Sequence, residues 1–351
     1  MEIARGLDPS RFESTVLTLE GLQSSSLQRD LNDCGIRVES LEKRQGSDPR
    51  MFWRFFRALR RIKPDLLHTH LYVLPYVTPV LALRRIPCLH TVHSIAEKEA
   101  TGLVRVFNSL SFRLGTIPVG ISPAVCESIR RIYHPAKVPV IPNGIDLRPF
   151  RNPRGIRNSW RSRNGFSEED FIIASVGRLH PLKNFSLLLS AFAELSARYT
   201  NLKLMIAGEG PFRQELERTI DELRIADRVC LAGERSDIPH LLLASDVYTN
   251  TSLWEGNPLS VIEAMAAGLP VIAPAVGGIP DLIEDGVDGV ILTPDHKEDL
   301  AHAMAEIIDS QDLRCRLGEA ARTKAQRTMS TTEMVRTYEE LYEELLGPSS
   351  L

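Results

Sequence analysis

From Phe171 onward, short apolar runs alternate regularly with amphipathic segments, and this limits the possible fold more than any other feature. Runs at 171–176, 203–207, 228–232, 246–250, 270–274 and 288–292 have the length and continuous hydrophobicity of buried parallel strands. The segments between them carry helix signals. Asn184 precedes Phe185, Leu187, Leu188, Leu189 and Phe192; Pro211 stands in a first turn; Pro258 opens a run to Ala267 that Gly268 stops. Repeated strand–helix units predict a doubly wound parallel sheet.

The first half repeats the pattern less cleanly, with candidate strands at 13–18, 36–39, 65–69, 87–92, 117–121 and 138–141. A stretch rich in Arg, Pro, Gly and Asn, roughly 143–166, reads as a linker. Beyond Leu292 the pattern turns helical over 297–309, 311–327 and 331–346. A chain of 351 residues suits two domains of about 100–200 residues each. The expected architecture is α/β: two Rossmann-like, doubly wound parallel-sheet domains, 1–150 and 151–330, with a cleft between them. Residues 331–351 supply a last helix expected to pack back toward the N-terminal domain.

Composition narrows the class. Five cysteines, at 34, 88, 126, 230 and 315, are scattered without a C-x-x-C spacing. That argues against a disulfide framework or zinc site and for a reduced, cytoplasmic protein. The longest apolar stretch, 71–83, is too short to span a bilayer and ends at Arg84 and Arg85. Residues 1–10 hold charges and lack the apolar core of a signal peptide. Net charge is −3 but unevenly divided: residues 1–150 hold 21 Lys and Arg against 14 Asp and Glu, the remainder 21 against 31. This asymmetry fits a first domain facing an anionic partner or membrane surface, and equally chance scatter of surface charge. The negative total, with basic–aromatic interleaving confined to one helix, speaks against nucleic acid as a partner.

Three loops carry the candidate chemistry. Gly177-Arg178-Leu179-His180-Pro181-Leu182-Lys183 follows a strand and leads into a helix. There Arg178 and Lys183 can converge on one anion, a diphosphate being the natural ligand; alone, the segment reads as readily as a solvated basic loop. Gly208-Glu209-Gly210-Pro211 is again a strand end, a Gly-rich turn and a helix start, where glycines let the backbone approach a ligand. Arg213 stands where a dinucleotide fingerprint needs its third glycine. In Glu255-Gly256-Asn257-Pro258-Leu259-Ser260-Val261-Ile262-Glu263, one glutamate falls on a loop and one on a helix. Amides from Gly256 to Leu259 form an anion-favouring helix terminus. Glu263, beside Ala264, Met265, Ala266 and Ala267, needs a partner or a ligand if that helix is packed; the bland alternative is a pair of surface glutamates.

Taken together, G-R-L-x-x-x-K, G-x-G-P, E-G-x-P-x-x-x-x-E-A-M-A-x-G-x-P-V and Gly277-Gly278 closely resemble glycosyltransferase family 4, over nearly the whole chain. The resemblance implies the GT-B fold and a transferase that retains anomeric configuration. It implies that Arg178 and Lys183 bind the donor diphosphate and Glu263 the ribose. Glu255 and the backbone of Gly256, Asn257, Pro258 and Leu259 would meet the donor sugar, with Gly177, Gly208, Glu209 and Gly210 near the nucleotide. The implied donor is a hexose on UDP or GDP. The implied acceptor is a glycan or lipid-linked sugar in cell-surface polysaccharide or glycolipid synthesis. No cofactor and no strictly required metal is expected, since no D-x-D pair appears. Weaker matches lie in the first half, at Asp65-Leu66-Leu67-His68-Thr69-His70 and Thr91-Val92-His93-Ser94. They imply a catalytic His93 beside the reacting sugar and an acceptor side at His70, Ser122 and Asn143, although a lone histidine is usually structural.

The segment 50–63 sets Phe52, Phe55, Phe56, Leu59 and Ile62 on one helical face, with Arg50, Arg54, Arg57, Arg60 and Arg61 largely opposite. It reads as a patch for an anionic membrane surface, at the inner face of the membrane, or as a sheet-packing helix with a solvated basic rim. The chain also departs from the family pattern. Residues 1–8 resemble the end of the family's first helix, so its opening strand and Gly-Gly loop are expected to be missing. That strand would be central in the sheet, which puts turnover in question. The alternatives carried forward are a nucleotide-sugar epimerase of the same fold and a non-catalytic sugar-nucleotide-binding subunit.

Overall fold

A computed structural model describes residues 2–21, 26–44, 46, 48–151 and 155–347. The chain divides into two compact units, Met1–Gly144 with Thr331–Leu351, and Ile145–Ser330. The division falls ahead of residue 150 because Ile145 and Phe150 are buried in the core of the second unit with Trp160. The expected linker is therefore partly structured, with a 3-10 turn at Arg148–Phe150 and a helix at Ile156–Arg163. Arg161 of that helix is 1% exposed and donates to the carbonyls of Ala244 and Asp170 and to the Asp246 carboxylate.

In the first unit, β1 (Thr15–Thr18) and β2 (Arg37–Ser40) form a parallel pair. Strands β3 (Leu67–His70), β4 (Cys88–Val92) and β5 (Ile117–Gly120) form a separate parallel sheet. Among the described residues no strand joins β1 to β3. The strand expected at 138–141 is reduced to a single bridge between Val140 and Gly120, because Pro139 and Pro142 cannot donate to a ladder. The helix Arg50–Ile62 buries Met51, Phe55, Ala58 and Leu59 against Val77 and Val80 of the helix Leu74–Arg84. Its apolar face is thus largely a packing face, with Phe52, Phe56 and Ile62 half-buried at its edge. The helix Thr331–Leu346 lays Tyr338, Leu341 and Tyr342 on Leu89 of β4 and Val119 of β5.

The second unit holds β6 (Phe171–Val176), β7 (Leu202–Ala207), β8 (Val229–Gly233), β9 (Val247–Thr249), β10 (Val271–Pro274) and β11 (Val290–Leu292). They make one parallel sheet in the order β11-β10-β9-β6-β7-β8. The winding reverses between β6 and β9, the switch point at which open α/β sheets take their ligands. The helix Leu259–Ala267 starts after Pro258 and stops at Gly268, whose φ of +80° suits a residue without a Cβ. Val261, Ile262, Ala264 and Met265 are fully buried there, which fixes the roll of the helix and the half-buried place of Glu263.

Candidate functional site

Four loops leave the carboxyl ends of β6, β7, β9 and β10, and glycines let them meet. A Cβ on Gly208 would lie 1.9 Å from the Gly177 carbonyl oxygen, one on Gly210 2.3 Å from that of Leu179, and one on Gly277 1.8 Å from that of Glu255. Backbone hydrogen bonds cross the same gaps: Gly177 N–H to Ala207 at 2.9 Å, Leu179 N–H to Glu209 at 3.0 Å and Gly278 N–H to Glu255 at 3.2 Å. The glycines thus make room for neighbouring protein backbone. Glu209 is exposed and pairs with Arg213 at 2.6 Å, a solvated surface pair between a loop and a helix start.

The structure joins Lys183 to Glu255. Lys183 Nζ lies 2.6 Å from Glu255 Oε1, with the two side chains 25% and 11% exposed. The same oxygen accepts from Ser252 Oγ at 2.6 Å and Asn250 Nδ2 at 3.3 Å. Oε1 is therefore saturated, and Oε2 is the atom left for another donor. Two further bonds staple the loops: Thr251 Oγ1 donates to the Lys183 carbonyl at 2.8 Å, and Leu253 N–H to Leu182 at 2.9 Å. Arg178 is exposed and has no partner among the described residues. Gly256, Asn257 and Pro258 are buried, and Leu259 is 49% exposed. Glu263 has no hydrogen-bond partner among the described residues, and burial pushes its carboxyl up to about 7.

In the first unit His70 Nδ1 and His93 Nε2 share a hydrogen bond of 2.9 Å at the ends of β3 and β4. Burial, then repulsion from His93, pushes His70 down to about 3, and burial also lowers His93. Both rings are neutral at pH 7, and a single N–H bridges them. His68 stands behind, bonded to Tyr342 Oη at 2.6 Å and Thr91 Oγ1 at 2.7 Å. Ser122 is buried, and its Oγ accepts the Val125 N–H at 3.2 Å as the N-cap of the helix Pro123–Tyr133. Its hydroxyl serves the helix start. Asn143 is half-buried beside the unit boundary.

Sequence reasoning misses Glu99. Its carboxylate accepts the Ser94 N–H at 2.7 Å, directly after His93, and burial pushes it up to about 7. Glu97 instead pairs with Arg131 at the surface. Nothing in the sequence tells these two glutamates apart. Among the described residues no group of three or more His, Cys, Asp or Glu is arranged to hold a metal.

The family model described as Glycosyltransferase Family 4 matches residues 1–148, and that described as Glycosyl transferases group 1 matches 156–324. Over 277 residues the chain is 30% identical to the Escherichia coli UDP-Gal:alpha-D-GlcNAc-diphosphoundecaprenol alpha-1,3-galactosyltransferase, a match covering 74% of this chain and 70% of that one. Over 296 residues it is 25% identical to the Bacillus anthracis N-acetyl-alpha-D-glucosaminyl L-malate synthase, covering 80% and 75%. Among solved structures, Anabaena HepE in complex with UDP and glucose matches with a TM-score of 0.87 at 22% identity, covering 98% of this chain and 94% of that one. The Thermosynechococcus elongatus sucrose-phosphate synthase matches with a TM-score of 0.82 at 20% identity, covering 98% and 92%. At such identities these two likenesses speak for the fold alone.

Proposed function

This chain is a glycosyltransferase of family 4 with the GT-B fold, and we propose that it transfers a hexose from a nucleoside diphosphate, with retention, to a glycan or lipid-linked acceptor. The observation that carries this reading is the Lys183–Glu255 pair at the switch point of the second sheet. Arg178 stands on the same loop as Lys183, and Glu263 on the helix that follows Glu255. UDP is the first donor nucleotide to test, because it appears in the name of one relative and in the complexes of structural neighbours.

In this mechanism Lys183 keeps one N–H on Glu255 and turns the others to the donor diphosphate, with Arg178 as the second cation. Glu255 Oε2 accepts a hydroxyl of the donor sugar, and Glu263 accepts from the ribose. As the bond to the sugar breaks, negative charge on the leaving diphosphate is met by the two cations and by loop amides; one such donor supplies about 2.7–4 kcal/mol. The acceptor attacks from the face the diphosphate leaves, and its proton passes to that phosphate. On the first unit His93, neutral and hydrogen-bonded to His70, is the histidine assigned a catalytic role in this reading.

The test is acceptor-dependent release of nucleoside diphosphate from a panel of UDP- and GDP-hexoses in the presence of EDTA, in which turnover is expected to persist. Release without any acceptor would instead point to an epimerase. Nucleotide binding with no release would point to a non-catalytic subunit.

A pH titration tests Glu263 separately. Its folded pKa is raised, so its contribution to stability is full below the ordinary carboxyl value and is lost as pH rises through about 7. Ribose hydroxyls favour the ionised carboxylate, so binding of UDP-glucose, whose doubly substituted diphosphate does not itself titrate near neutrality, releases a proton and tightens as pH rises from about 6 to about 8. Calorimetry should show this trend in the wild type and a flat profile in Glu263→Gln. A wild-type profile as flat as the variant's removes Glu263 from the site.

A further inference from the structure

Three helices of the first unit, Arg50–Ile62, Leu74–Arg84 and Gly102–Arg113, contain eight arginines and no Asp or Glu. They pack side by side in that order. Arg57, Arg60 and Arg113 are exposed, as is Arg85 just past the second helix. None of these four has an acidic partner among the described residues. An unbalanced cationic surface of this kind attracts a polyanion.

The third helix is reversed relative to an ordinary surface helix. Asn108 and Ser111 are 4% and 0% exposed beside the buried Phe112, whereas Leu103, Val106, Leu110 and Leu114 are 76%, 61%, 45% and 51% exposed. Spaced three, four and four apart, these four fall within roughly an 80° arc at about 100° per residue, so they form one continuous stripe. Leu83 and Trp53, 67% and 61% exposed, add apolar surface on the other two helices. Contiguous exposed apolar residues mark an interaction surface, unlike singly scattered ones.

Charge selects the occupant. A second copy docked through the same face would bring arginines against arginines. An anionic bilayer supplies both an apolar layer for the stripe and phosphates for the guanidinium groups. We propose that the helix Gly102–Arg113 lies in the plane of an anionic membrane surface, its Leu103–Val106–Leu110–Leu114 stripe inserted among the acyl chains and the arginines of the three helices on the headgroups. This inference stands independently of the donor and acceptor chemistry. It also differs from the contact expected on the apolar face of 50–63, most of which packs against the core.

The experiment is co-sedimentation of the full chain with vesicles of phosphatidylcholine alone and with about one third phosphatidylglycerol. Binding to the anionic vesicles is expected to exceed that to the neutral ones by about tenfold or more and to weaken with salt. The triple substitution Leu103→Glu, Val106→Glu and Leu110→Glu should lower it about tenfold or more while UDP affinity stays unchanged. A second variant, Arg57→Glu with Arg113→Glu, should remove the preference for anionic lipid without touching the stripe. Equal binding to both vesicle types, or full binding by the triple variant, overturns the proposal. So does a wild-type dimer that the triple variant dissociates, which would make the stripe a self-interface. Loss of acceptor-dependent release with intact vesicle binding would count against the transferase reading alone.

Discussion

Lys183→Ala is expected to lower kcat by about 10²–10³-fold at saturating donor, with the fold intact. Lys183 is 25% exposed and its ammonium faces a carboxylate that is 11% exposed, so its charge acts in a partly water-excluded place where it counts for more than in solution. Stability should fall by only about 1–2 kcal/mol, because Glu255 keeps its bonds from Ser252 and Asn250. Glu255→Ala should reach a comparable kcat by another route: it frees Lys183 and removes the Oε2 acceptor. Steady-state kinetics beside thermal unfolding checks both variants. Turnover within about threefold of wild type in Lys183→Ala, at a rate change far below that of a lost charge-stabilising donor, would remove it from the mechanism.

Gly208→Ala should cost about 3 kcal/mol or more and abolish donor binding, because two penalties coincide. The residue holds φ +144°, and the new Cβ would lie 1.9 Å from the Gly177 carbonyl oxygen, a backbone atom that cannot swing away. Gly165→Ala is the control: its φ of +79° is also in the left-handed region, but nothing lies within 4 Å of the added carbon. It should lose about 1 kcal/mol and keep full activity. Denaturant midpoints that fail to separate the two variants would show that the loops at 177 and 208 do not depend on their close approach.

Much of the second unit was legible because its signals are local. A continuous apolar run gives β6 at Phe171–Val176, and Pro258 and Gly268 bracket the helix Leu259–Ala267. The family motifs also fall at strand ends, where the sheet topology brings the loops of β6 and β9 together. Other features depend on three-dimensional neighbours that spacing does not encode. The pairing of Lys183 with Glu255 spans 72 positions, and each residue taken alone reads as a ligand contact. Glu99 differs from Glu97 only in which side of a short helix is covered. The stripe on Gly102–Arg113 has an amphipathic period, and periodicity alone assigns its leucines to the core. The loss of strand 138–141 was readable in principle, since Pro139 and Pro142 stand in the sequence, but apolar content outweighed the missing donors.

The helix Thr331–Leu346 has a consequence for how the protein is made. Tyr338 Oη bonds Thr91 Oγ1 at 2.9 Å, and Tyr338 and Tyr342 are 2% and 5% exposed against the first unit's sheet. This closing piece leaves the ribosome only after the whole of Ile145–Ser330 has been synthesised, an interval of about 10–40 s at about 5–20 residues per second. For that time the first unit waits with one sheet face uncovered, while the second already has all of its own chain. A nascent chain arrested at Ser330 should therefore present a protease-resistant second unit and a protease-sensitive first one, in the reverse of their order of synthesis.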